Sequence, residues 1–121
     1  MASLVDYGAA LRFVQTRAEA LGLGFTGPHP RALLTCLKSS LPILSQPCEA
    51  FRRPGQIRAH ARILAQCEEL MVTVAAALHS RDAADEERAV GEARRLCRLL
   101  AEARGTLGIY NLEEPWPKRD K

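Results

Sequence analysis

A chain of 121 residues has room for one domain of ordinary size and enough length to bury a core without a metal or disulfide staple. Its 47% apolar and 26% charged residues exclude a disordered protein, and no apolar run approaches the roughly 18 residues of a membrane span. A net charge of +3 is too mild to mark a nucleic-acid binder by itself.

No basic, apolar, small-residue segment opens the chain, so the expected compartment is cytoplasmic, or nuclear in a eukaryotic source. Only 5% of residues are aromatic, and alanine and leucine supply most of the apolar count. Such side chains suit close-packed helices, because they let helix axes approach without loss of helix propensity. Arg outnumbers Lys fourteen to three, which equips the basic surface for planar, bidentate contact with carboxylates or phosphates. Cys36, Cys48, Cys67 and Cys97 are irregularly spaced and form no C-x-x-C pair. They read as reduced small hydrophobes, with Cys67 and Cys97 on apolar helix faces.

In chain order, the first helix is predicted over residues 4–21, capped by Ser3 with Asp6 at the third position. Tyr7, Leu11, Val14, Ala18 and Leu21 recur at spacings of four and three and form its buried stripe. Gly22 and Gly24 end it, and the run Phe25 through Pro30 makes a stiff connector. A second helix begins near Pro30 with Leu33, Leu34, Leu37, Leu41 and Leu44 on its apolar face. Pro42 predicts either a kink or two short helices, the second capped by Ser39 or Ser40. Residues 45–55, with Pro47 and Pro54, form the longest irregular stretch.

The third helix, residues 56–78, carries a wide stripe from Ile57 through Ile63, Leu64, Cys67, Leu70, Met71 and Val74 to Leu78, which predicts a central helix with neighbours on more than one side. Ser80 or Asp82 caps the fourth, residues 83–107, with acids in its first turn and arginines later, as the macrodipole favours. Val90, Ala93, Cys97, Leu100 and Leu107 make its stripe, widened by Leu96 and Ala103. Short joints between four helices predict an all-α antiparallel four-helix bundle over residues 1–110, its second helix kinked. Residues 111–121 form an extended tail, because Pro115 and Pro117 flank Trp116 and forbid helix.

Catalytic motifs are absent: there is no phosphate-cradling glycine loop, no G-x-S-x-G and no H-E-x-x-H. The acids Asp82, Asp85, Glu86 and Glu87 read as a solvated first helical turn, so no metal and no cofactor is expected. Arg53 and His60, with six residues between them, fit a spacing that resembles the Arg-x(4–6)-His of the helical nucleases called HEPN domains. That resemblance covers the spacing and the helical character, and it implies an Arg and a His sharing one face to cut RNA across a dimer. Pro54 stands where that family commonly has a polar residue, and Gly55 interrupts a continuous helix. The residues themselves favour His60 as a partly buried helix residue beside Ile57 and Leu64.

Two surfaces remain as candidates. No acid lies between Glu49 and Glu68, where Arg52, Arg53, Arg58 and Arg62 fall, and Arg94, Arg95 and Arg98 cluster on the fourth helix. If the third and fourth helices are neighbours, these arginines form a ridge able to meet phosphates, without aromatics to stack bases. In the tail, Tyr110, Leu112 and Trp116 offer large apolar groups with no helix to hide them, which fits a fold-back or an interface anchor. The expected function is a non-catalytic helical interaction module, an adaptor, chaperone-like or assembly subunit. It would bind a protein partner or a second copy through apolar helix faces and the tail. The alternative is a nucleic-acid-associated subunit using the arginine ridge; neither a membrane nor a small-molecule substrate is indicated.

Overall fold

Ser3 starts the first helix as its sequence position predicts: the hydroxyl accepts the Asp6 amide at 3.1 Å and satisfies a donor that a helix start leaves unpaired. The computed structural model describes residues 1–109. Within them α1 spans Leu4–Gly22, α2 His29–Leu44, α3 Pro54–Ser80 and α4 Ala83–Leu107. The predicted tail, with Tyr110, Leu112 and Trp116, lies outside the described residues.

Every helix contributes a stripe to one core. On α1 the five predicted residues Tyr7, Leu11, Val14, Ala18 and Leu21 are all fully buried. On α3 the stripe is Ile63, Cys67, Leu70, Val74 and Ala77, and on α2 it is Leu33, Cys36, Leu37 and Leu44. On α4 it is Ala89, Ala93, Leu96, Leu100, Ala103 and Leu107. Alternating spacings of four and three keep each stripe on one side of its helix, as bundle packing requires. The α4 stripe differs from the expected one, since Val90 and Cys97 sit at its half-buried flank while Ala89 and Leu96 are enclosed.

The helices form an antiparallel four-helix bundle closed as a ring. α1 packs on α2 and α4, and α3 packs on α2 and α4, so diagonal helices are not neighbours. Antiparallel direction shows in the pairings: Gly8 lies against Ile109 and Gly22 against Arg94, while Gln56 meets Thr106 and Gln66 meets Glu92. The expectation of a central α3 is therefore corrected. Outside the stripe, Leu64, Met71 and Leu78 are partly buried against the core, whereas Ile57 and Val72 face solvent, 52% and 63% exposed. Among the described residues no helix is long and apolar enough to cross a membrane.

Of the two forms expected around Pro42, the structure shows the single helix. Pro42 stands in the last turn of α2, where a missing amide removes one of the final hydrogen bonds rather than dividing the element. Ser39 and Ser40 accordingly do not cap a second helix. Beyond Leu44 the connector is pinned at both ends of its course: Cys48 and Phe51 are buried, and the Ala2 amide donates to the Pro47 carbonyl at 3.0 Å. At the α3–α4 joint Asp82 accepts the Ala84 amide at 2.9 Å, and Ser80 donates to Asp85 at 2.7 Å.

All four cysteines are free, three of them buried and Cys97 half-buried. Burial pushes the Cys67 thiol up to about 12 and the Cys97 thiol up to about 11, and it raises Cys36 as well. Above the ordinary thiol value of 9.0 the unfolded chain releases protons that the folded chain keeps, so stability falls as pH rises past that point and is unaffected below it. We expect chemical denaturation to show this loss setting in near pH 9.0 and growing toward about 11, where Cys97 itself begins to ionise in the folded chain. A thiol reagent at pH 8 should leave Cys36 and Cys67 unmodified in folded protein.

Candidate functional site

A groove of about 690 Å³ lies between α1 and α2 near the chain's start. Small residues create it: Ala9 and Ala10 face Ser39 and Ser40 across the helix pair, and none of the four is long enough to fill the space. Phe13 and Ile43 form its walls and Met1 closes one end. The serines add little polarity. Ser39 donates to the Cys36 carbonyl at 3.1 Å, and the Ser40 hydroxyl lies 3.7 Å from the Cys36 sulfur, so both are turned to their own helix.

The groove is apolar and open. Met1 is 73% exposed and Phe13 43%, and Val5, one turn before Ala9 on the outer side of α1, is 79% exposed. Val5, Ala9 and Phe13 thus form a second apolar line on α1, separate from the core stripe. The Arg17 guanidinium lies 4.3 Å from the Phe13 ring centroid and covers one of its faces, leaving the ring's remaining surface for the groove. Asp6 and Arg12 stand along it with opposite charges. Sequence reasoning missed this site. The available signal was the spacing of four from Val5 through Ala9 to Phe13, off the Tyr7–Leu21 stripe.

The predicted arginine ridge is only partly assembled. α3 and α4 are neighbours, and Arg62, Arg95 and Arg98 share a groove of about 690 Å³ between them. Glu69, Glu92 and Glu102 line the same groove, so three acidic and three basic residues share it, and Gln66 donates to Glu92 at 2.6 Å. Arg58 is exposed one turn before Arg62. Arg52 and Arg53 stand at the start of α3, where Arg52 Nε donates to the Glu49 carbonyl at 3.1 Å. Gln56 Oε1 accepts both of their amides.

Arg94 points the other way, toward α1. Its Nε donates to the Gly22 carbonyl at 2.8 Å, supplying a cation to a helix end whose last turn contains no basic residue of its own. Arg94→Ala should cost about 1 kcal/mol of stability and Arg95→Ala close to nothing, as urea midpoints will register.

The histidine of the nuclease-like spacing is engaged by the fold. His60 Nε2 lies 2.8 Å from the Leu44 carbonyl oxygen, and its ring packs edge-on against Tyr7 and tilted on Phe51. Arg53 precedes α3 with extended backbone, φ −81° and ψ 147°, and is exposed. The acids at the start of α4 act as caps and as an ion pair with Arg88, and no cluster able to hold a metal occurs among the described residues. No protein-family model matches the chain, and no curated protein and no solved structure matches it either.

Proposed function

We propose that this protein is a helical interaction module whose α1–α2 groove receives an apolar helical segment of a partner protein. The observation that carries this reading is the solvent-open aromatic wall: Phe13 stands half-exposed over a floor of Ala9 and Ala10. Ring and walls match the anchor-and-groove form of helix recognition, in which one or two apolar side chains on successive turns enter a cleft. Asp6 and Arg12 supply opposite charges able to fix the orientation of such a helix. Size also fits, because clefts of roughly 300–1,000 Å³ hold compact apolar groups well. The reading makes the protein an adaptor or assembly subunit, and the tail residues Tyr110, Leu112 and Trp116 belong to it as further apolar groups for interaction.

The α3–α4 groove supports the nucleic-acid alternative less well, because its glutamates offset the charge of its arginines. A pull-down separates the two. Wild type, Phe13→Glu and the double variant Arg62→Glu with Arg98→Glu are compared in the native host, half of each sample treated with nuclease. We expect discrete partner proteins that survive nuclease, are lost from Phe13→Glu and remain on the arginine variant. Partners that vanish with nuclease or follow the arginines would overturn the proposal.

A further inference from the structure

We propose that the solvent face shared by α3 and α4 is the interface of a symmetric dimer, in which each helix lies antiparallel to its counterpart in a second copy of this chain. The inference stands apart from the α1–α2 groove, which occupies the opposite edge of the ring of helices.

The charges on this face are ordered along it. On α3, Arg58 and Arg62 come first, and Glu68 and Glu69 follow about two turns later, all of them exposed. Arg58, Arg62, Arg98, Glu69 and Glu102 form no ion pair among the described residues. Two contacts fix the relative levels of the helices. Gln56 donates to the Thr106 carbonyl at 3.3 Å and Gln66 to Glu92 at 2.6 Å, so Ala65 on α3 stands level with Arg95 on α4.

A two-fold axis at that level, running in the plane of the interface and across the helices, brings opposite charges together. Arg62 comes beside Glu69 of the second copy, because the two residues lie on the same side of α3 and flank Ala65 almost equally. On α4, Arg98 comes level with Glu92 of the second copy, the two standing equally far in sequence from Arg95. Arg88, held by its own Asp85 at 3.4 Å, comes level with Glu102 in the same way. Each relation occurs twice by symmetry. Arg58 comes level with Val72, which is 63% exposed and which an arginine's aliphatic stem is suited to cover. Arg95 alone meets its like, with Glu92 one turn away on each copy. A parallel pairing would set every arginine level with itself, so the charges select the antiparallel one.

The size of the face also fits. With 27 residues at about 1.5 Å each, α3 is about 40 Å long, and two packed helices are about 20 Å wide, a footprint of about 800 Å² per copy. A stable interface of standard size buries about that much on each partner. Between the charges, exposed Ala61, Ala65 and Ala76 are short enough to let a second helix pair approach.

Sedimentation equilibrium tests the proposal on the full chain as wild type, Arg62→Glu, Glu69→Arg, the charge swap that combines both, and Phe13→Glu. Each is first checked for a native helical melt by circular dichroism. Should a reversal disturb the melt, Val72→Arg, which opposes Arg58 of the second copy, takes its place. We expect wild type to reach twice the chain mass by about 100 µM, well above the micromolar weak end of interfaces this large. Each reversal should weaken dimerisation about 10-fold or more, since it sets like charges together at two symmetric places. The swap should restore most of that loss, and Phe13→Glu should dimerise as wild type does. A monomer mass for wild type throughout that range overturns the inference. So does a dimer that both reversals leave intact, or a loss that the swap does not restore. A dimer lost in Phe13→Glu and kept in both reversals overturns it too, and assigns the α1–α2 groove to the second copy.

Discussion

Phe51→Ala is expected to destabilise the protein by about 3–5 kcal/mol, the largest loss of any single truncation outside the helices. Phe51 sits in the irregular connector between α2 and α3, yet it is only 7% exposed. Its ring meets Tyr7 edge-on with centroids 5.0 Å apart and His60 at 5.6 Å, and Tyr7 and His60 are themselves edge-on at 5.1 Å. Such ring pairs add to area burial by roughly 0.5–1.5 kcal/mol each. Truncation removes two of these three pairs and opens a void beside a tyrosine hydroxyl that has no hydrogen-bond partner among the described residues. Water entering that void can satisfy the hydroxyl, which sets the expected loss toward the lower end of the range. It also frees the connector that His60 and the Leu44 carbonyl join to α3. Urea denaturation measures the effect, and a loss under about 1 kcal/mol would mean that the connector is not held by this ring.

Leu96→Ala should cost about 2–5 kcal/mol, while Cys97→Ala next to it should cost under about 1 kcal/mol. Leu96 has no exposed surface, and the α4 side of the core offers little to close around a void, because three of its five fellow stripe residues on that helix, Ala89, Ala93 and Ala103, are alanines. Cys97 lies on the flank of the stripe. The contrast tests the rotation of α4 directly. Equal losses at the two positions would place the buried face midway between them.

That rotation shows where sequence patterning reaches its limit. On α1 the residues Tyr7, Leu11, Val14, Ala18 and Leu21 run the helix's whole length and are flanked by Arg12, Thr16 and Glu19, so this stripe outweighs the shorter Val5–Ala9–Phe13 line and the buried face is legible. On α4 two adjacent stripes are both apolar, one through Ala89, Leu96 and Ala103 and one through Val90 and Cys97, and only tertiary packing selects between them. α3 carried more apolar residues than the core uses. Ile57 therefore read as part of a wide buried stripe, although a ring of four helices gives each only two neighbours and leaves Ile57 52% exposed.

The sites divide in the same way. Helix caps at Ser3 and Asp82 follow from local chemistry and were legible. The α1–α2 groove left only the Val5–Ala9–Phe13 spacing as a trace, because it arises from small side chains on two separate helices, and which helix Ala10 faces cannot be read from its own segment. The arginines were visible as a cluster, but their directions depend on the ring order of the helices. Arg94 turns to α1 while Arg62, Arg95 and Arg98 line a groove together with glutamates from both α3 and α4.

The most direct measurement of the docking claim is a map of where a selected helical ligand binds. A display library of amphipathic helical peptides is selected against the full-length protein, and the best binder is titrated while backbone amide shifts are recorded. The account predicts that the perturbed amides gather on Ala9, Ala10 and Phe13 of α1 and on Ser39 to Ile43 of α2, and that Phe13→Glu weakens binding at least about 30-fold, the effect of losing a central interface residue. Shifts centred on Arg62, Arg95 and Arg98, or a library that yields no binder sensitive to Phe13, would contradict it.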